Sequence, residues 1–200
     1  MDKQYLVGML KKFADVLNIS VDEEILGQIV SLSSFRVVAK GSIVASLGED
    51  TELCGMVLSG IIRSYYIDSD GNDITRGFSP AGYMFMDEGC FGYTERICMY
   101  EAMEETTVMQ MRVEDLKRLI SSGEEIKNIW IFLLEHAIRY KIYRENGFLV
   151  ENATERYVHF KKMYPELSER VPQKHIATYL GITPESLSRI RSAMKDSPTE

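Results

Sequence analysis

The stretch VPQKHIATYLGITPESLSRIRSAMK, residues 171–195, decides the fold of the C-terminal part of the chain. Ala177 is small where a second helix has to cross closely, and Gly181, four residues on, suits the left-handed backbone of a tight turn. Thr183 can cap the second helix, and Pro184 suits its first position because the missing N–H needs no partner there. This spacing predicts a helix-turn-helix.

The outward face of the second helix carries polar side chains of the kinds that read DNA. Arginine can bind O6 and N7 of guanine with two hydrogen bonds, glutamate accepts from N4 of cytosine, and serine can contact a base or a phosphate. A generic helical hairpin would explain the apolar positions, but not the sharp turn, the cap and these side chains together. The outward-facing residues are Glu185, Ser186, Ser188, Arg189 and Arg191.

The charge of the chain is distributed unevenly. Its 200 residues include 23 Lys and Arg and 30 Asp and Glu, a net charge of −7, which argues against a surface built throughout to hold nucleic acid. Residues 170–195 carry five basic residues, Lys174 among them, against Glu185 alone, a net charge of +4. Residues 1–169 carry −9, and the tail adds −2. Positive charge confined to the helix-turn-helix indicates a local nucleic-acid contact.

The N-terminal part changes from helical to strand periodicity. Residues 3–32 have the apolar spacing of two helices, with Ser20 as a candidate cap between them. From residue 35 to 112 the apolar residues recur with the period of two that is typical of β-strands, and glycines are frequent. The pair Asp70-Gly71 favours a tight hairpin turn. The strand candidates are 35–38, 43–45, 55–58, 61–67 and 108–111. We therefore predict an α+β fold that begins with a jelly-roll-like β-roll.

A long helical stretch without proline follows a short predicted helix at 114–120 and covers residues 124–150. Apolar and aromatic positions in it alternate steps of three and four, as in a two-stranded coiled coil. We favour a dimer seam over burial against the chain's own domain, because the helix is apolar on more than one side. The predicted seam residues are Ile126, Ile129, Leu133, His136, Tyr140, Tyr143 and Gly147.

A β-rich domain with regular glycines, a long helix and a helix-turn-helix together resemble the Crp/Fnr superfamily of bacterial transcription regulators. The most specific matches are the residues 176–191, IATYLGITPESLSRIR, and the preceding Glu155-Arg-Tyr and Tyr164-Pro-Glu-Leu. The resemblance implies a cyclic-nucleotide-binding-like β-roll sensor domain, a dimerisation helix and a helix-turn-helix DNA-binding domain. Their expected ranges are 1–121, 122–151 and 152–200.

The same resemblance implies a cytoplasmic homodimer that reads a palindromic operator in double-stranded DNA, with RNA polymerase as a further expected partner. It places Glu185, Ser188 and Arg189 at base-reading positions, and Thr183 and Ser186 near phosphates. With Lys174 and Arg191 added, the predicted DNA contacts are Lys174, Thr183, Glu185, Ser186, Ser188, Arg189 and Arg191. The family usually adds a β-hairpin wing, but only six residues follow Met194, so we expect little or no wing.

The effector site departs from the family's cyclic-nucleotide binders, which use a Gly-Glu pair followed by an Arg-Ser pair. Arg96 falls where a phosphate arginine could lie, and Asp87 or Glu88 near the ribose. However, Met86 stands where glycine is expected, and Ile97 replaces the serine. An exposed backbone N–H and a hydroxyl are then lost from the anion site, which predicts weak or absent cyclic AMP binding and an unidentified small-molecule effector.

Two alternatives stay open in this region. Arg96 is equally well interpreted as an ordinary surface or salt-bridge residue. Six methionines cluster here, which indicates either plastic core filling, the commoner case, or a pocket for an apolar effector. They are Met84, Met86, Met99, Met103, Met109 and Met111.

The residue inventory argues against enzymes and metal proteins. Residues 35–112 contain no histidine, which is strong evidence against a metal cupin, and no catalytic triad, phosphate loop or acid pair stands out. Cys54, Cys90 and Cys98 lack C-x-x-C spacing and indicate reduced thiols. We therefore expect no enzymatic activity, cofactor or metal.

The chain shows neither a signal peptide nor a membrane span. Its start lacks a basic and apolar leader, and its longest apolar run, residues 129–134, is too short to cross a bilayer. We therefore expect a cytoplasmic protein without a membrane partner. The remaining alternative function is a signal-binding β-roll that acts through protein contacts without specific DNA binding.

Overall fold

Two amphipathic helices, α1 (Lys3–Val16) and α2 (Glu23–Ser31), begin the computed structural model, which describes residues 2–196. The Asp22 carboxylate caps α2 by accepting a hydrogen bond from the Glu24 N–H at 3.0 Å, so the cap is Asp22 and not Ser20, as the sequence had suggested. Leucines of α1 and α2 pack with Met109 on one face of a sheet. These helices therefore cover one side of the β-domain.

Eight strands form two four-stranded sheets in the described part of the chain. The strand orders are β1-β8-β3-β6 and β2-β7-β4-β5. Their bounds are β1 Ser33–Val38, β2 Ile43–Ala45, β3 Leu53–Ser59, β4 Ile61–Ile67, β5 Asp73–Pro80, β6 Met84–Phe85, β7 Met99–Ala102 and β8 Thr106–Arg112. The predicted β-roll is confirmed, and β5, β6 and β7 are the strands that the sequence pattern missed.

The two faces of the first sheet follow the alternation of side chains along its strands. On β3 and β8, Val57 and Val108 are fully buried in the interior of the roll, with Phe85 and Tyr100. Their neighbours Leu58 and Met109 point to the other face and pack against the N-terminal helices. The same strands thus contribute to two separate apolar clusters, one inside the roll and one beneath the helices.

Helices return after β8, as the sequence predicted. They are α3 Val113–Ser122, α4 Glu124–Val150, α5 Ala153–Met163, α6 Leu167–Arg170, α7 Gln173–Leu180 and α8 Pro184–Asp196. Asn152 caps α5 in a capping box with Glu155, whose carboxylate accepts from the Asn152 N–H at 2.8 Å. The α+β fold class is therefore confirmed, and the short helix α6 was not predicted.

Helix α4 exposes apolar side chains outside the predicted seam as well as within it. Of the predicted seam, Ile126 packs against the cluster around Leu119, the Tyr140 hydroxyl lies 3.0 Å from that of Tyr179, and Gly147 is buried. Of the other predicted seam residues, His136 and Tyr143 are exposed, so the seam stays a prediction. A second set of exposed apolar side chains lies about half a turn away: Ile131, Ile138, Ile142 and Leu149.

The chain divides into two compact units. The first contains the residues up to Ser64 together with Phe78–His136, and the second contains Tyr65–Gly77 together with the residues from Ala137 onward. The division at 1–121, 122–151 and 152–200 stays a prediction. No helix among the described residues is long and apolar enough to cross a bilayer. The predicted lack of a wing concerns a tail of which residues 197–200 lie outside the described residues.

Candidate nucleic-acid interface and effector pocket

The turn between α7 and α8 has the geometry that the sequence predicted. Gly181 ends α7 with a φ of +67°, and the Ile182 N–H donates to the Ala177 carbonyl at 3.0 Å. The Thr183 hydroxyl accepts from the Ser186 N–H at 3.2 Å and so caps the start of α8. The two helices pack closely where they cross, since Ala177 of α7 and Leu187 of α8 are fully buried. The two helices are therefore held at a fixed, well-packed turn.

The outward face of α8 leaves the predicted base-reading side chains in solvent. Glu185, Ser188 and Arg189 are all exposed, while Leu187 between them points into the core. Arg191 and Ser186 are half-buried at the edge of this face. We call the exposed set of Glu185, Ser188 and Arg189 the reading face.

Glu185 is held in its ionised form by the start of the helix. Its own backbone N–H, then the Thr183 hydroxyl and the Arg189 guanidinium, lower the pKa of the Glu185 carboxyl below its ordinary value. A carboxylate that stays ionised is a hydrogen-bond acceptor only. In DNA this chemistry matches the exocyclic amine of cytosine and disfavours carbonyl-bearing edges.

The basic groups of the motif differ in their partners. Arg170 donates to the Glu166 carboxylate at 3.1 Å, one turn earlier, so part of its charge is compensated. Lys174 is exposed in the first turn of α7, and Thr183 is exposed but occupied as the cap. Among residues 2–194, no side-chain hydrogen bond or ion pair is seen for Lys174 or Arg191. These two cations are therefore available to phosphates.

Arg144, which the sequence did not single out, anchors α7 within the second unit. Its guanidinium lies 4.3 Å from the centre of the Tyr179 ring and donates to the Tyr179 carbonyl at 3.2 Å. It also donates to the carbonyls of Arg76 and Thr75 in β5, the second strand of the β4–β5 hairpin. Because a backbone carbonyl carries no sequence signature, no pattern in the chain could have revealed these contacts.

Tyr179 is the centre of an aromatic cluster behind α7. Burial, with the nearby Tyr140 hydroxyl, raises the pKa of Tyr179 well above its ordinary value, so its hydroxyl stays protonated. Phe160 and Tyr164 of the α5 region pack on the Tyr179 ring with centroids 5.4 and 6.4 Å away. The hydroxyls of Thr75 and Thr178 lie 2.8 Å apart and add a polar link from the hairpin to α7.

In the first unit, the structure brings Glu88 and Arg96 together inside the roll. Both are buried, and the Arg96 Nη1 lies 3.4 Å from the Glu88 Oε2. The other Glu88 oxygen accepts from the Tyr100 hydroxyl at 2.8 Å, and Arg96 Nη2 donates to the Leu53 carbonyl at 3.0 Å. Arg96 is therefore a salt-bridge residue, which was the second of the two sequence interpretations. The guanidinium that a phosphate would need already faces a carboxylate.

The backbone beside this ion pair keeps an unusual conformation. Met86, where the cyclic-nucleotide binders have glycine, has a φ of +58° and is buried, with its sulfur 3.8 Å from the Gln110 amide nitrogen. A left-handed backbone at a residue with a Cβ is strained by about 1–2 kcal/mol. Asp87 is half-buried next to it and precedes the 3-10 helix Glu88–Phe91. The structure joins Asp87 to neither member of the ion pair.

Metal chemistry finds little support in the part of the chain that the structure describes. No group of three or more His, Cys, Asp or Glu side chains within residues 2–194 is placed to hold a metal ion. Cys54, Cys90 and Cys98 form no disulfide bond. The candidate functional sites described above are the reading face on α8 and the Glu88–Arg96 ion pair inside the roll.

Comparisons with known proteins agree with this architecture. Residues 35–122 match the family model of the cyclic nucleotide-binding domain. FixK2 from Bradyrhizobium japonicum has a similar structure, with a TM-score of 0.73, 20% identity, and coverage of 82% of this chain and 84% of FixK2. The c-di-GMP-responsive global regulator CLP of Xanthomonas campestris follows with a TM-score of 0.69, 16% identity, and coverage of 87% of this chain and 92% of CLP.

The Thermus thermophilus catabolite activator protein gives a TM-score of 0.56 at 19% identity, over 88% of this chain and 85% of that protein. A search of curated protein sequences gave no significant match. Identities at this level show the fold alone. The chain therefore combines a domain of the cyclic nucleotide-binding type with the fold of the Crp/Fnr regulators, as the sequence resemblance implied.

Proposed function

We propose that the chain is a DNA-binding transcription regulator of the Crp/Fnr type that reads a two-fold-symmetric operator as a cytoplasmic homodimer. The observation that carries this proposal is the reading face, which is exposed on a helix whose start is capped by Thr183 and whose angle is set by the Gly181 turn. In proteins with this motif, the N-terminal residues of the second helix contact base edges in the major groove. Glu185, Ser188 and Arg189 are in that part of α8.

Residues around the reading face supply the phosphate contacts, and we call Lys174, Ser186 and Arg191 its rim. Lys174 in the first turn of α7 and Arg191 farther along α8 are suited to phosphates on either side of the groove, and Ser186 offers a hydroxyl beside them. Phosphate contacts fix the register of a protein on DNA, whereas base contacts carry the sequence information. Arg189 is therefore the residue whose loss most affects selectivity.

The dimer is supported by the exposed face of α4. Ile131, Ile138, Ile142 and Leu149 are separated by seven, four and seven residues, which is the heptad spacing of a coiled-coil seam. Large apolar side chains left in water along one helix are typical of an interface. A dimer with two reading heads would then bind half-sites about one helical turn of DNA apart.

The interior of the roll argues against cyclic AMP as the signal. The Glu88 carboxylate already neutralises Arg96, and a cyclic phosphate would have to displace it from a buried site. We therefore propose that cyclic AMP does not bind there. Isothermal titration of the full chain with cyclic AMP tests this directly, and saturable binding in the micromolar range would contradict it.

The DNA-binding proposal is tested by selecting sequences from a randomised DNA pool with the full chain. We expect a palindrome to be enriched, and Arg189→Ala to lose selectivity at one position in each half-site. Arg118→Ala, an exposed arginine of α3, is the matched control and should select the same palindrome as the parent chain. If no sequence is enriched, or if Arg189→Ala selects as the parent chain does, the chain acts through other contacts.

A further inference from the structure

An apolar cavity of about 120 Å³ lies in the first unit, outside the interior of the roll. One side of the cavity is the sheet, where four methionines meet, and the other is formed by α2, α3 and the first half of α4. The four methionines are Met56, Met84, Met109 and Met111. Trp130 and Leu133 of α4 complete the side opposite the sheet. No function given above uses this cavity.

The wall of the cavity offers no polar atom. The cavity is partly open to solvent, but an ordered water needs two to four polar partners and finds none on this wall. An apolar cavity of similar size, about 150 Å³, is known to bind benzene. A charged ligand would lose its hydration without gaining a hydrogen bond. The chemistry of the wall therefore selects a neutral hydrocarbon or a simple aromatic compound.

The wall of the cavity is rich in flexible side chains, which suits a binding site better than rigid, branched side chains would. Methionine is unbranched and flexible, so four of them around one space can adjust to molecules of different outline, and their sulfurs make favourable contacts with aromatic rings. The Trp130 ring is itself stacked on Phe91, with centroids 6.4 Å apart and an angle of 25° between the planes. A flat aromatic ligand would contact the methionine sulfurs on one side and lie next to the Trp130 indole.

We propose that this cavity binds a neutral apolar small molecule, of about the size of benzene to naphthalene, and that this molecule is the signal of the regulator. The second half of the statement rests on the function proposed above, whereas the binding itself does not. The site is separate from the anion site of the roll, because Glu88 and Arg96 lie in the interior and the cavity lies on the other face of the sheet.

Trp130 is the single tryptophan of the chain and reports directly on the cavity. Bromobenzene, whose heavy atom quenches indole fluorescence on contact, should quench Trp130 emission with a saturable curve in the full-length protein. Iodide, a charged quencher that the apolar wall excludes, should quench only linearly with concentration. A linear, non-saturable curve for bromobenzene as well would overturn the proposal.

A filled cavity provides the matched variant. Leu116 and Ile120 line the cavity and are half-buried, so Leu116→Phe with Ile120→Phe adds two rings to its wall with little strain. We expect at least tenfold weaker bromobenzene binding. Leu47→Phe with Ile67→Phe, at exposed positions away from the cavity, is the control and should bind as the parent chain does. Equal affinity in the filled variant would overturn the proposal.

Methionine methyl resonances provide a readout that needs no variant. With 13C-methyl-labelled methionine, bromobenzene should shift the signals of Met56, Met84, Met109 and Met111. The signals of Met163 and Met194, in the second unit, should stay in place. Shifts spread equally over all of these methionines would indicate non-specific partitioning and contradict a site.

The role as a signal is measured last, as the affinity for the selected operator with and without saturating bromobenzene. A change of threefold or more, absent in the filled variant, supports the role, and no change overturns it. If the chain selects no operator while saturable quenching persists, the proposed function fails and the binding site stands. The two failures are therefore distinguishable.

Discussion

Glu88 and Arg96 face each other inside the roll, with 3.4 Å between the carboxylate oxygen and the guanidinium nitrogen and almost no exposure of either side chain. Tyr100 and Cys98 complete the shell around the carboxylate, at 2.8 and 3.5 Å. The protein thus supplies its own anion to the arginine. A phosphate that entered the roll would have to compete with this carboxylate for Arg96.

The first prediction concerns this ion pair. Glu88→Leu leaves a buried, unpaired guanidinium, and loss of one partner of a buried pair costs about 3–5 kcal/mol of unfolding free energy. Replacing both residues, as Glu88→Leu with Arg96→Leu, removes the unpaired charge and should restore most of that stability. Urea unfolding of the three chains measures the difference. If the double variant is as unstable as Glu88→Leu alone, the pair is not the source of the loss.

The C-terminal half could be predicted from sequence because its signals are local. The turn at Gly181, the cap at Thr183 and the buried Ala177 each depend on residues within a few positions, and the structure has all three. Arg144 could not be found in this way, because its partners are carbonyls in a hairpin almost seventy residues earlier and in α7.

Helix α4 and the roll show where the sequence pattern was insufficient. Apolar residues occur on two opposite faces of α4, so their spacing alone does not say which face is internal. Burial distinguishes the two, because Ile126 packs against the core whereas Ile138 is exposed. In the roll, Arg96 was compatible with a phosphate ligand or a salt bridge. The structure has the salt bridge, between Arg96 and a Glu88 eight residues away, and no periodicity in the sequence encodes this contact.

The second prediction separates phosphate contacts from base contacts. Lys174→Ala should weaken binding to all DNA sequences alike and reduce the slope of log K against log salt by about 0.9, because one phosphate neutralisation is lost. Arg189→Ala should instead reduce discrimination at one base pair by about 1–3 kcal/mol. Fluorescence anisotropy at several salt concentrations measures both. Identical effects of the two variants would contradict the division between rim and reading face.

The third prediction concerns the turn. At Gly181 the φ of +67° disfavours any residue with a Cβ, and an added Cβ would lie 2.9 Å from the Phe148 ring. Gly181→Ala should therefore lower the unfolding free energy by about 1–2 kcal/mol, since an L-residue pays that in the left-handed region. Gly181→Asn meets the same ring but tolerates the conformation better, so it should lose less. Thermal unfolding compares them; an equal loss would mean that the ring contact, not the backbone, dominates.

The fourth prediction concerns the exposed face of α4. Ile138 and Ile142 are 56% and 61% exposed, so lysine at both positions should leave the single chain folded while preventing a dimer from burying them. We expect sedimentation to show a dimer for the parent chain and a monomer for Ile138→Lys with Ile142→Lys at micromolar concentration. Val16→Lys, at an apolar position of α1 that is 80% exposed, is the control and should remain dimeric. A dimeric double variant would place the interface elsewhere.

The fifth prediction concerns the thiol pair Cys54 and Cys90. The neighbouring Cys54 thiol is the main cause that lowers the pKa of Cys90; the Lys117 ammonium lowers it further, whereas burial and the Asp87 carboxylate raise it. The same pairing, with burial, raises the pKa of Cys54, whose thiol donates to the Met111 carbonyl at 3.5 Å. Cys90 is half-buried, whereas Cys54 and Cys98 are buried. Cys90 is therefore the thiol that reagents should reach first, and it ionises at a lower pH than an ordinary cysteine.

The pH dependence follows from the direction of this shift. Because the thiolate is the reactive species, a lowered pKa makes the alkylation of Cys90 by iodoacetamide rise at a lower pH than that of a free cysteine, about 8.5. Cys54→Ala removes the neighbouring thiol, so the midpoint of the rate against pH should move upward. Cys98→Ala leaves the Cys54 thiol in place and should leave the midpoint unchanged. Peptide mapping by mass spectrometry gives the rate at Cys90, and a midpoint unaffected by Cys54→Ala would show that Lys117 rather than the thiol pair controls it.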